Sequence, residues 1–137
     1  MKKFFILIFV LSVLVLVACK SNEDEPHWDQ AHEIVSGVVS SEEGQPLQGI
    51  QIVKYLDEEL QQICLISDEV YSNAEGKYYI DDFSRSTTGD PTEFYLVVTD
   101  TTGMYQPQTI KAQMTYTYYP VQKQAVGGVE VNIIMHK

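Results

Sequence analysis

The sequence contains few cysteines and few basic residues, and both shortages limit what the protein can be. Its 137 residues include only two cysteines, Cys19 and Cys64. Nine lysines and arginines stand against 19 aspartates and glutamates, so the formal net charge is −10. Nucleic acids and anionic lipid surfaces attract basic patches, so neither is expected as a partner through charge.

The common short motifs of catalysis are also absent. The chain has no G-x-S-x-G, H-E-x-x-H, phosphate-binding loop or C-x-x-C. His27, His32 and His136 lack the spacing of a metal-ligand set. The acidic runs 57–59 and 81–82 lack the alternating oxygen ligands of a calcium loop and are interpreted as solvated turns. We therefore expect a protein that is not an enzyme, with no catalytic residue, no metal site and no cofactor.

The N-terminus has the pattern of a bacterial lipoprotein leader. Lys2 and Lys3 precede the almost wholly apolar run 4–17, which is shorter than the ~20 residues of a transmembrane helix. The run ends at Val17-Ala18-Cys19, a lipobox. This predicts a signal peptide over residues 1–18 and an acylated Cys19 that anchors the mature chain to a membrane. A transmembrane anchor is the alternative.

Residues 19–31 are polar and acidic, and are predicted to form a tether without packed structure. Lys20 follows Cys19, a position where aspartate retains lipoproteins at the inner membrane of well-studied Gram-negative bacteria. An outer-membrane location is therefore expected. The run Glu23-Asp24-Glu25 resembles export signals of bacteria that display lipoproteins on their surface, so both the periplasmic leaflet and the cell surface remain open.

Residues 32–137 are predicted to form one all-β domain. In the first predicted strand Val35, Gly37 and Val39 share a face, because strand side chains alternate. In strand 93–99 apolar residues occupy both faces, which predicts a central strand covered on each side. Seven strands are predicted, over residues 33–40, 47–56, 61–67, 77–83, 93–99, 109–119 and 128–136. Seven short strands joined by turn residues are typical of a two-sheet sandwich.

Three segments carry a family resemblance. They are Val35-Ser36-Gly37-Val38-Val39, Gly44-Gln45-Pro46-Leu47-Gln48-Gly49-Ile50-Gln51-Ile52 and Glu75-Gly76-Lys77-Tyr78-Tyr79-Ile80. Together they resemble the carboxypeptidase regulatory-like domains, which are transthyretin-like (prealbumin-like) sandwiches. The resemblance implies a seven-stranded Greek-key sandwich of a kind that usually accompanies other activities.

A narrower resemblance is to small lipoproteins encoded beside radical-SAM enzymes, which share a lipobox, this sandwich and a terminal strand with a basic end, here Lys137. It implies that the chain is the substrate or partner of such an enzyme, with Cys64 as a residue that the enzyme can modify. The run 61–66 around Cys64 is apolar, so a buried, inert thiol is the competing interpretation.

Tyrosines near the end of the chain are the best recognition residues in the sequence. Tyr116 and Tyr118 share one strand face, and Trp28 lies at the end of the tether. Aromatic side chains bind sugars and peptides, although aromatic pairs also stabilise sheets. We expect a lipid-anchored, non-catalytic binding or scaffold module. The alternatives are a radical-SAM partner and a carbohydrate- or peptide-binding module that uses these three residues to contact a protein or glycan.

Overall fold

The computed structural model describes residues 31–60, 69–84 and 90–137, and in these ranges the chain forms nine strands and no helix. No helix of the length and apolarity needed to cross a membrane occurs in the described residues. In chain order the strands are β1 (Ala31–Ser41), β2 (Ile50–Tyr55), β3 (Val70–Tyr71), β4 (Lys77–Ser84), β5 (Thr92–Asp100), β6 (Gln108–Met114), β7 (Tyr116–Tyr119), β8 (Gln124–Glu130) and β9 (Ile133–Met135).

The strands form two sheets in a sandwich-like arrangement. The first has the order β4-β1-β8-β7, with β9 pairing with the end of β1. Strand β1 runs antiparallel to β4 and parallel to β8 and β9. The second sheet has the order β3-β2-β5-β6 and is antiparallel throughout. The predicted all-β, two-sheet architecture is confirmed.

The strand count differs from the seven predicted. Predicted strand 109–119 is divided between β6 and β7, which belong to different sheets. Predicted strand 128–136 is interrupted at Val131 and Asn132, where Val131 N–H donates to Ser36 O and Val38 N–H donates to Asn132 Oδ1. Side-chain alternation continues through both breaks, so the sequence alone does not mark them. Predicted strand 61–67 lies outside the described residues.

Two predictions from side-chain alternation are confirmed: the sequence predicts Ile133 and Met135 inside and Ile134 outside, and it predicts a central β5. In β9 Ile133 and Met135 are buried, while Ile134 is exposed. On β5 Leu96 is fully buried on the inner face, and Tyr95 is buried on the outer face, where the Lys111 ammonium lies 5.9 Å from its ring centroid. Strand β5 lies between β2 and β6 and is covered on both faces, as the two-sided apolar pattern predicts.

Two glycines of the family-like segments are required by close backbone approaches. A Cβ on Gly37 would lie 2.0 Å from Val131 O, and one on Gly76, whose φ is 75°, would lie 2.4 Å from Val39 O. The Tyr78 hydroxyl also donates to Val131 O at 2.6 Å. Burial raises the pKa of Tyr78, as does the nearby Glu130 carboxylate, which keeps this hydroxyl a neutral donor.

Candidate functional site

Three charged side chains, two carboxylates and one amine, lie between the two sheets at one end of the interior. Glu33 on β1 is 2% exposed, and Lys54 on β2 and Asp82 on β4 are each 1% exposed. Charged side chains are almost never buried to this extent unless they are paired, because removing an ion from water is costly. These three residues are called the buried charge cluster below.

Strand alternation explains why these charges point inward. Each lies two positions from a buried residue of its own strand. Lys54 follows Ile52, and Asp82 follows Ile80. Glu33 precedes buried Val35 by two positions and lies directly opposite Asp82 in the β1–β4 register. The strands therefore deliver two carboxylates from one sheet and an amine from the other to the same place.

The contacts within the cluster leave one oxygen, Asp82 Oδ2, without a hydrogen bond from the described residues. Lys54 Nζ donates to Glu33 Oε2 and lies 3.9 Å from Asp82 Oδ2. The Phe83 N–H donates to Asp82 Oδ1 at 2.6 Å. Asp82 Oδ2 accepts no hydrogen bond from the described residues. Buried polar atoms in proteins are nearly always hydrogen-bonded, so this oxygen needs an explanation.

Aromatic and hydroxyl groups complete the surroundings of the cluster. The Tyr116 hydroxyl donates to Glu33 Oε1 and lies 2.6 Å from Thr92 Oγ1. The Phe94 ring centroid lies 5.3 Å from Lys54 Nζ, within the range of a cation–π contact. Both oxygens of Glu33 are thus occupied, and the amine is enclosed by a ring and two carboxylates.

The interpretation of residues 81–82 as a solvated turn is wrong. Both residues lie within β4, and only Asp81 is exposed, where it pairs with His32. The signal that could have placed Asp82 inside was available, because it shares a strand face with Tyr78 and Ile80. Two consecutive aspartates are typical of a turn, but here the alternation of side chains along the strand is the better guide.

The residues predicted to contact a ligand have different placements. Tyr116 and Tyr118 share one face of β7 and pack, partly buried, against Ala31 and Ala125. The structure thus brings Tyr116 to the buried charge cluster. Trp28 lies outside the described residues. So do Cys19 and Cys64, the predicted lipidation and modification sites. Ligand contact by the three aromatic residues and modification of Cys64 remain predictions.

A surface cleft of about 550 Å³ displays tyrosines that the sequence did not single out. It is lined by residues of β1, β3, β4 and β8, among them Lys77 and Glu130, and by Asn73 in the turn between β3 and β4. Tyr71 and Tyr79, which are 45% and 54% exposed, also line it. The Tyr71 hydroxyl donates to Glu69 at 2.8 Å, and this bond raises the pKa of Tyr71. We call this surface the tyrosine cleft.

Within residues 31–60, 69–84 and 90–137, no group of three or more histidine, cysteine, aspartate and glutamate side chains is placed to hold a metal ion. Of the histidines, His32 stacks on Phe83 and pairs with Asp81, and His136 lies 2.6 Å from Glu42. His27 lies outside the described residues.

No family model and no curated protein matches the chain. Among solved structures, the chain is similar to chlorocatechol 1,2-dioxygenase from Pseudomonas putida, with a TM-score of 0.53 and 14% identity over 80% of this chain and 62% of that one. For 3-chlorocatechol 1,2-dioxygenase from Rhodococcus opacus 1CP the TM-score is 0.55 at 10% identity over 82% and 64%. For catechol 1,2-dioxygenase from Acinetobacter sp. ADP1 it is 0.55 at 8% identity over 86% and 55%.

These similarities correct one prediction. The sequence predicted that the chain is not an enzyme, but these three solved structures of similar fold are enzymes. That prediction is contradicted, because a sandwich of this kind supports catalysis in other chains. At these identities the likeness shows the fold alone, and the chain spans less than two thirds of each dioxygenase.

Proposed function

We propose that the protein is a lipid-anchored binding module of the outer membrane that takes a carbohydrate or peptide into the tyrosine cleft. We further propose that its sandwich is of the seven-stranded Greek-key, carboxypeptidase regulatory-like (prealbumin-like) type. The close approaches at Gly37 and Gly76 support this type, because they give a physical reason for the glycines of the family-like segments.

The observation that carries the binding proposal is the pairing of exposed aromatic faces with polar groups in one cleft. Tyr71 and Tyr79 present large side chains that lose little conformational freedom on binding. Asn73, Lys77 and Glu130 line the same cleft and offer both donors and acceptors. Ligand sites in proteins typically combine such aromatic surface with a few polar groups that orient the ligand.

The tyrosine cleft is favoured over the predicted site at Tyr116, Tyr118 and Trp28 because Tyr116 makes its contacts inside the sandwich. Its hydroxyl contacts Glu33 and Thr92 inside the sandwich, and Tyr118 beside it is partly buried. The role as a radical-SAM partner depends on Cys64, which lies outside the described residues. It remains a prediction, tested by the mass of the mature chain from its own host.

The binding proposal is tested with glycan and peptide arrays. We expect the wild-type chain to bind a subset of probes, and the double variant Tyr71→Ala/Tyr79→Ala to lose at least about tenfold in affinity, as truncation of aromatic binding residues does. Tyr119→Ala is the matched control, since Tyr119 is 47% exposed but lies on β7 at the far edge of the first sheet from β4. An affinity unchanged in the double variant, or no probe bound by the wild type, would contradict the proposal.

The anchor is tested by Cys19→Ala. We expect an unprocessed precursor that no longer partitions with the outer membrane, because the acylated sulfur would be missing. Cys64→Ala, which removes the other cysteine, should be processed normally. Palmitate labelling that persists in Cys19→Ala would show that the lipobox interpretation is wrong.

A further inference from the structure

We propose that the buried charge cluster forms a covalent cross-link: an amide bond between Lys54 Nζ and Asp82 Cγ, made by the folded chain itself with Glu33 as the proton carrier. The bond would join β2 to β4 and so connect the two sheets. The proposal concerns the interior of the sandwich and does not depend on the tyrosine cleft.

The first support is proximity in an interior without bulk water. Lys54 Nζ lies 3.9 Å from Asp82 Oδ2, and all three residues of the cluster are at most 2% exposed. Formation of the amide requires Nζ to approach Cγ, the carbon that carries Oδ2, to about 3–3.5 Å, so the lysine side chain has to move from Oδ2 toward Cγ. Exclusion of water also suppresses the reverse reaction, in which water would hydrolyse the amide.

The chemistry balances without any further reactant. A proton passes from the Lys54 ammonium to the Asp82 carboxylate, which leaves a neutral amine and a protonated Asp82 acid. The amine nitrogen attacks Asp82 Cγ in its protonated acid form and gives a tetrahedral intermediate. Glu33 takes the remaining excess proton from the nitrogen and delivers it to Oδ2. The Cγ–Oδ2 bond then breaks and one water molecule leaves. One ammonium and one carboxylate become one amide and one water, and nothing is oxidised or reduced.

The contacts assign different roles to the two carboxylates. Both Glu33 oxygens are occupied, one by Lys54 and the other by the Tyr116 hydroxyl, which orients this carboxylate for proton transfer. Asp82 has one oxygen held by the Phe83 N–H and one without a partner among the described residues. A backbone N–H aimed at Oδ1 stabilises the negative charge that develops there in the intermediate. The unpartnered Oδ2 is the oxygen that departs.

The reaction also removes an unfavourable arrangement. With all three groups ionised, the cluster holds one ammonium and two carboxylates, and each desolvated ion is costly. Formation of the amide eliminates the ammonium and one carboxylate, and its N–H can then donate to Glu33.

Tryptic digestion of the full chain, purified folded and then denatured, tests the proposal. Trypsin cuts after Lys20, Lys54, Lys77 and Arg85, so an unlinked chain gives peptides 21–54, 55–77 and 78–85. An amide-linked lysine resists trypsin. We therefore expect peptide 21–77, uncut at Lys54 and joined to 78–85, with a mass one water below the sum of the two, and fragment ions that place the bond between Lys54 and Asp82.

Two variants assign the roles. Lys54→Arg keeps a cation but removes the nucleophile, and Glu33→Gln keeps the size of the side chain but removes the proton carrier. Both should give free 78–85, with circular dichroism checking that they fold. Free 78–85 with full cleavage at Lys54 in the wild type would overturn the cross-link. A water loss confined to 21–77 would overturn the choice of Asp82, because Glu33 lies in that peptide. Full linkage in Glu33→Gln would overturn the role of Glu33.

Discussion

The interior of the sandwich has an apolar end and a charged end, and the same alternation of side chains along the strands builds both. At one end Val35, Ile52 and Ile80 pack in the hydrophobic core. Two positions further along the same strands, on the same faces, Glu33, Lys54 and Asp82 are buried just as deeply. Apolar burial stabilises by about 25 cal/mol per Å², whereas buried charges stabilise only when they are well paired. Alternation therefore decides which residues are inside but not what they do there.

Two buried carboxylates extend the comparison. Asp100 accepts bonds from the Thr102 N–H and hydroxyl at one oxygen and from the Met104 and Tyr105 N–H groups at the other. Asp82 has one oxygen without such a partner in the described chain. The Asp100 carboxylate closes a turn and is satisfied locally, while Asp82 depends on strands that are distant in sequence.

The largest expected effect comes from breaking the buried charge cluster. Lys54→Met leaves two carboxylates without their cation and also removes the nucleophile of the proposed cross-link, so we expect a loss of at least about 3–5 kcal/mol in the free energy of unfolding, measured in urea. The triple variant Glu33→Leu/Lys54→Met/Asp82→Leu should recover the part of that loss that comes from uncompensated buried charge, but not any part that comes from the cross-link, which it also lacks. A Lys54→Met variant as stable as the wild type would show that the two ends do not differ in this way.

The next effect tests the apolar end. Leu96 is fully buried in the hydrophobic core. Leu96→Ala should cost about 2–5 kcal/mol through lost burial and the cavity left behind. Unlike the loss in Lys54→Met, it should not be recovered by changes at Glu33 and Asp82. Recovery by those changes would mean that the two ends are energetically coupled.

A smaller effect distinguishes Asp100 from Asp82. Burial alone would raise the pKa of Asp100, but the bonds from Thr102, Met104 and Tyr105 outweigh it and lower the pKa below its ordinary value of 3.8. Because the folded-state pKa is the lower one, this carboxylate stabilises the fold above about pH 3.8, and the effect is lost as the pH falls through the folded-state value.

The corresponding variant is Asp100→Asn. It should lose about 1–3 kcal/mol at neutral pH, since the new amide nitrogen cannot accept the bonds that one carboxylate oxygen received. Below pH 3.8 its stability should fall less steeply than that of the wild type, as thermal unfolding over a pH series would show. Parallel pH profiles for the two proteins would contradict this account of Asp100.

The smallest effect belongs to the tyrosine cleft. Tyr79 is 54% exposed, so Tyr79→Ala should change the free energy of unfolding by no more than about 0.5 kcal/mol. The same variant should weaken ligand binding if the cleft is the binding site. A large loss of stability would instead assign Tyr79 to the structure of the sheet.

Particular residues show how far sequence reasoning reached. Alternation placed Ile133 and Met135 inside and identified β5 as a doubly covered strand, because these patterns are local. The break between β6 and β7 and the interruption at Val131 were missed, since both arise from pairing with distant strands. The prediction that the chain is not an enzyme is contradicted by the fold that it shares with the dioxygenases. That prediction depended on missing linear motifs, whereas catalytic groups can be assembled from separate strands.

Alternation and turn residues were enough to predict an all-β domain over residues 32–137 and the inward face of most of its strands. A period of two and the turn residues are properties of neighbouring positions, so they can be read from a linear chain. The contact between Glu33, Lys54 and Asp82 and the shared cleft of Tyr71 and Tyr79 became visible only in the folded chain. These placements depend on strand register and sheet order, which are set by contacts between residues far apart in the chain.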